Sequence, residues 1–97
     1  MAVIHIAWLR FKENVDPERI EYHMTACRAL VRRVPVVLDL KCGKSYTDRA
    51  GGLTHSILVT VPNREAIETY LHHPAHVPVA NALKADVAEL RVMDIEV

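Results

Sequence analysis

Branched and aromatic residues crowd the opening of the chain, where residues 1–12 (MAVIHIAWLRFK) contain neither Gly nor Pro and predict a first strand. Asp16 then stands as a helix N-cap, with Pro17 at the first helical position and Glu18 at the positive end of the helix dipole. Ile20, Met24, Cys27, Val31 and Val34, spaced four, three, four and three apart, predict the buried stripe of that helix, which Pro35 stops. In residues 37–46, Leu38, Leu40 and Cys42 alternate with Asp39 and Lys41, the period of a half-buried strand. Residues 47–52 (TDRAGG) make a loop, and residues 54–61 (THSILVTV) a third strand. Asn63 caps a short helix over residues 64–72 that carries Ile67, Tyr70 and Leu71 on one side. Pro74 ends it, and a further helical segment runs from 75 to about 87 with Ala80, Leu83 and Val87 in register. Residues 89–97 alternate again and predict the last strand.

The order β-α-β-β-α-α-β predicts an α+β fold, a ferredoxin-like sandwich with a four-stranded antiparallel sheet whose first and third strands are central neighbours. Its 97 residues make one domain, residues 1–97. Helices cover one face of such a sheet, yet the first strand is apolar on both. Val3, His5, Ala7, Leu9 and Phe11 lie on one face, and Ile4, Ile6, Trp8 and Arg10 on the other. Left in water, Ile4, Ile6 and Trp8 would form a patch of the kind that marks an interface. The expectation is a homodimer in which two sheets pack face to face as a barrel.

Charge narrows the function classes. Lys+Arg and Asp+Glu are both 12, a net charge of +0, which speaks against a nucleic-acid partner held by a broad positive field. No apolar run approaches the roughly 20 residues of a membrane span, and the N-terminus does not read as a signal peptide. Cys27 and Cys42 are too few for a disulfide scaffold and read as reduced thiols of a cytoplasmic protein.

The chemistry lies in the histidines, six in the chain: His5, His23, His55, His72, His73 and His76. His5 and His55 sit on apolar faces of the two central strands and are expected together beneath the proline-split corner formed by residues 70–76. Imidazoles and the Tyr70 phenol converging on an apolar pocket suit proton abstraction beside a carbonyl, with a neutral imidazole as base and the phenol holding the enolate oxygen. His23 and His72 are expected to face solvent. His72, His73 and His76 have metal-ligand spacing, but Pro74 interrupts the helix and no Cys or carboxylate is adjacent, so no metal site is expected.

The opening strand with His5 and Phe11-Lys12, the Gly-Gly-Leu-Thr-His segment (residues 51–55), the Tyr-Leu-His-His-Pro-Ala-His-Val corner (residues 70–77) and the closing Val-Met-Asp-Ile-Glu-Val together resemble the stress-responsive A/B barrel (Dabb) domain family over essentially the whole chain. The resemblance implies a dimeric α/β barrel. It also implies one of three roles: a cofactor-free cyclase or lyase acting on a carbonyl-rich small molecule, a non-enzymatic stress protein, or a carrier of a small apolar or polyketide ligand. For the cyclase-like role it implies His76 as general base, Tyr70 as the carbonyl-polarising group and His5 with His55 as pocket residues, with no cofactor.

Overall fold

The computed structural model describes residues 1–97. Its elements are β1 (Val3–Phe11), α1 (Pro17–Arg33), β2 (Asp39–Lys44), β3 (His55–Val61), α2 (Arg64–His72), α3 (His76–Asp86) and β4 (Val87–Glu96). The strands form one antiparallel sheet in the order β2-β3-β1-β4, a ferredoxin-like α+β arrangement with β1 and β3 at its centre. Both expected caps form. Asp16 accepts the Arg19 N–H at 2.9 Å and Asn63 accepts the Ala66 N–H at 2.9 Å, each satisfying a donor that the helix itself leaves free.

The core lies between the sheet and the helices, with Val3, Leu9, Ile57, Val59 and Val61 packed under Met24, Cys27, Leu30, Ile67 and Tyr70. The buried side of α1 is rotated from the expected stripe. Met24, Cys27 and Val34 are buried as predicted, but Ile20 and Val31 are half-buried, and His23 and Leu30 complete the inner face. His23, expected in solvent, is 1% exposed. An imidazole tolerates that depth because the Asp86 carboxylate accepts from Nε2 at 2.6 Å, so burial strands no polar group. β2 is also shorter than its alternation suggests. Val37 turns back, its N–H bonded to Val34 O, into the core, and Leu38 stands outside the strand and exposed.

Proline shapes the junction between α2 and α3. Pro74 supplies no N–H and disfavours a helical residue before it, so α2 ends with the His73 N–H bonded to Tyr70 O. His73 stays in the turn as a backbone clamp, its Nδ1 accepting the Ala75 N–H at 3.0 Å. Pro78 falls in the first turn of α3, where no intrahelical donor is needed. A new helix, α3, therefore starts at His76. It buries none of its residues and roofs the sheet rather than packing into it.

No helix covers the other side of the sheet. The register stacks Ile4 beside Thr60 and Ile95, Ile6 beside Leu58 and Met93, and Trp8 beside Ser56 and Arg91. Trp8, Leu58, Met93 and Ile95 are exposed there.

Candidate active site

Between α3 and the sheet lies a cavity of about 340 Å³, lined by 16 residues of which 12 are hydrophobic. That volume is within the range of small-molecule sites. β1 contributes His5 and Ala7 to its floor and β4 contributes Leu90, Val92 and Asp94, which the register sets directly opposite Leu9, Ala7 and His5. The roof is α3, whose residues His76, Val79, Ala80, Leu83 and Lys84 follow helical spacing along one face. Tyr70 and Leu71 from α2, and Cys27 and Leu30 from α1, close the back.

The polar groups gather at the end where α3 begins. The Tyr70 and His76 rings are 4.3 Å apart at 44°, and the His5 ring meets Tyr70 edge-on at 6.2 Å. His76 Nδ1–H donates to the Leu71 carbonyl at 3.1 Å. A carbonyl oxygen only accepts, so Nδ1 carries the proton and the Nε2 of the neutral ring is a bare lone pair. The turn at Pro74 makes this possible, because it frees the Leu71 carbonyl and brings it back beside His76. His5 is oriented in the same way by a different group, its Nδ1 lying 2.5 Å from Asp94 Oδ1.

Burial lowers the His76 pKa below the usual imidazole value of 6.5. The Leu71 hydrogen bond opposes this, and the charges of His5, Lys84 and His73 add to it. The ring is thus held neutral at neutral pH, with a nitrogen lone pair free to take a proton. Burial raises the Tyr70 pKa, keeping the phenol protonated and able to donate. Cys27 also touches the cavity, but burial, assisted by Cys42, pushes its thiol up to about 12, which disqualifies it as a nucleophile near neutrality.

Three of the four residues expected in the pocket are brought together: His5, Tyr70 and His76. His55 is not among the lining residues. β1 pairs His5 with Val59 and Leu9 with His55, so the two histidines are four positions apart along the sheet, about 13 Å. His55 packs instead against Phe11 with ring centroids 5.2 Å apart, its Nδ1 2.8 Å from Thr54 Oγ1, and burial lowers its pKa. His55 shares a sheet face with His5, but a shared face does not fix position along the strand. Two polar lining residues escaped the sequence reading, Asp94 and Lys84. Asp94 was detectable as the polar position that follows Leu90 and Val92 on an alternating strand.

A ferredoxin-like sheet roofed by a proline-split helix pair, with a His-Tyr-His cluster inside, defines a class of small α+β barrel domains. The chain belongs to the Stress responsive A/B Barrel Domain (Dabb) family, which it matches over residues 3–97. It is similar to olivetolic acid cyclase of Cannabis sativa, 31% identical over 96 residues that cover 97% of this chain and 95% of the cyclase. It is also similar to the stress-response A/B barrel domain-containing protein HS1 of Arabidopsis thaliana, 31% identical over 94 residues that cover 95% of this chain and 86% of HS1. Among solved structures, a hydroxynitrile lyase from Passiflora edulis superposes with a TM-score of 0.92 at 20% identity, covering 99% of this chain and 93% of the lyase. A dimeric ferredoxin-like protein of unknown function from Thermobifida fusca superposes with a TM-score of 0.89 at 21% identity, covering all of this chain and 92% of that one. At those identities the two structures speak to the fold alone.

Proposed function

We propose that this protein is a homodimeric, cyclase-like acid–base enzyme that forms an enolate in a small carbonyl-rich molecule and closes it by an aldol step. The observation that carries this reading is the tautomer of His76, fixed by its bond to the Leu71 carbonyl, in a ring 4.3 Å from that of Tyr70 on the wall of an apolar cavity. His76 Nε2 takes a proton from the carbon next to a carbonyl, and the C–H electron pair passes into the enolate. Tyr70 donates its hydroxyl hydrogen bond to the developing oxyanion, where a dry site makes each donor count for more than in water. The enolate carbon then attacks a second carbonyl of the same molecule, and the His76 imidazolium returns its proton to the new alkoxide. His5, oriented by Asp94, meets the Tyr70 ring edge-on and shapes the carbonyl-binding end. The likeness to a cyclase along nearly the whole chain supports this chemistry over other uses of the same groups.

The first step can be tested without knowing the natural substrate. 2-Heptanone in D2O exchanges its α-protons slowly, and NMR should show the wild-type protein accelerating that exchange. His76→Ala should lose about 10²–10⁴-fold of the acceleration and Tyr70→Phe about 10²–10³-fold. Chemical-shift changes at the cavity without any exchange would instead identify a carrier, the use that the 12 apolar lining residues favour if no proton moves.

The second copy is assigned to the open sheet face around Ile4, Ile6 and Trp8, continued by Leu58, Met93 and Ile95. The dimeric ferredoxin-like proteins that share this fold support it. A charge at the centre of that patch, Ile6→Asp, should convert the dimer to a monomer in analytical ultracentrifugation at micromolar concentration. A wild-type monomer would sink the assignment.

A further inference from the structure

Lys84 is the one cavity-lining charge with no partner. Of the 16 lining residues only His5, His76, Lys84 and Asp94 are not hydrophobic, and three of these are engaged with one another or with backbone. Asp94 is occupied by His5. The acidic side chains nearest Lys84 in sequence are occupied as well. Asp86 is held by Arg19 and His23, and Glu89 by Arg10 and Arg91. No salt bridge or side-chain hydrogen bond reaches Lys84, although its charge is felt at His76.

Its place in the cavity is specific. α3 and β4 run in opposite directions from the turn at residues 86 and 87, so Lys84 and Leu90 share one end of the cavity while His76 and Asp94 share the other. His76 and Lys84 are eight residues apart on one face of the same helix, a rise of about 12 Å. Val79, Ala80 and Leu83 from the helix, with Ala7 and Val92 from the sheet, line the apolar stretch between them.

From this arrangement we infer that Lys84 determines specificity for an amphiphilic carboxylate, whose apolar body lies under α3 with its carbonyl end at His76 and Tyr70 and its carboxylate at Lys84. The inference rests on the enolate-forming reading of the polar end, to which it adds the charge and length of the substrate. An exposed ammonium at the mouth of an apolar site discriminates by charge, because an anionic head gains a partner there while the tail is desolvated in either case.

Octanoate and 1-octanol share a chain length and differ in charge at pH 7, so they isolate this contribution. In ¹H–¹⁵N NMR titrations of the intact protein, octanoate should bind about threefold to tenfold more tightly than 1-octanol. Lys84→Gln should bring the two affinities level by weakening octanoate alone, and Lys84→Glu should reverse the order. Equal affinities in the wild type, a preference that survives Lys84→Gln, or no binding of either probe at the cavity would each overturn the inference. Loss of the charge preference alongside intact 2-heptanone exchange removes only the Lys84 assignment. A charge preference without exchange removes the chemistry and leaves an anion-selective carrier.

Discussion

Two histidine clusters flank the core, and they use the same ingredients differently. At one end His23 lies stacked on Phe11 at 5.8 Å and 15°, and Phe11 in turn meets His55 edge-on. At the other end His5, Tyr70 and His76 line the cavity. Both contain imidazoles with aromatic neighbours and a carboxylate from the α3–β4 side, Asp86 in one and Asp94 in the other, but His23 and His55 are buried while His5 and His76 are half-buried. In the first, Asp86 accepts from both His23 and Arg19, fastening the end of α3 to α1, and the Lys12 ammonium donates to the Ala85 carbonyl beside it. In the second, a single hydrogen bond holds each ring, His76 to the Leu71 carbonyl and His5 to Asp94, and both rings line the cavity. Aromatic company does not separate the two sets of histidines. Depth and cavity contact do, since His5 and His76 are half-buried and line the cavity whereas His23 and His55 are buried and do not.

If that distinction is right, removing one histidine from each cluster should produce opposite phenotypes. His76→Ala should eliminate most of the ketone exchange while leaving stability nearly unchanged, because the ring is half-buried and contributes a single hydrogen bond to backbone. His23→Ala deletes a fully buried ring and a hydrogen bond to a carboxylate, at a cost of about 2–3 kcal/mol. For a domain of this size that corresponds to a fall of roughly 10–20 °C in Tm, measured at equal protein concentration so that the proposed dimer contributes equally to both proteins. The folded fraction should retain its exchange activity per molecule. Equal loss of activity in both variants would erase the contrast between the clusters.

The same contrast explains what could be read from the chain itself. Element order, both N-caps, the limits of α2 and the central pairing of β1 with β3 rest on local signals: period, capping residues and proline. These act within a few residues and are visible in a single sequence. The Tyr70–His76 pair was legible for the same reason, since one proline-broken corner carries both. His55 and His23 were misplaced because their positions depend on long-range registration. Sheet register decides how far along β3 a histidine lies from His5, and a contact from α3 decides that His23 is paired rather than solvated. Asp94 and Lys84 acquire meaning only when β4 returns under α3. Trp8 was readable as outward-facing because alternation alone determines its side of the sheet.

Acid should separate the clusters by smaller effects. In the proposed reaction His76 acts as a base only when neutral, and its pKa is lowered, so the exchange rate should hold its plateau below pH 6.5 and fall only at more acid pH as Nε2 gains a proton. The linked stability has the same sign. Between the lowered folded value and the ordinary 6.5, the unfolded chain binds the extra proton, so stability declines as pH falls through that window; His55, also lowered by burial, adds to the decline. Asp86 behaves as a depressed acid, held below its ordinary 3.8 first by Arg19 and then by His23. Its contribution is complete above that value and is lost as pH falls through the folded one, a separate and more acid step in urea midpoints taken against pH. Lys84→Gln supplies the finest test. Its charge is one of the influences that lower His76, so removing it should move the acid limb of the exchange profile upward in pH while the Asp86 step stays in place. A limb that moves with His23→Ala instead would mean that the two clusters titrate as one.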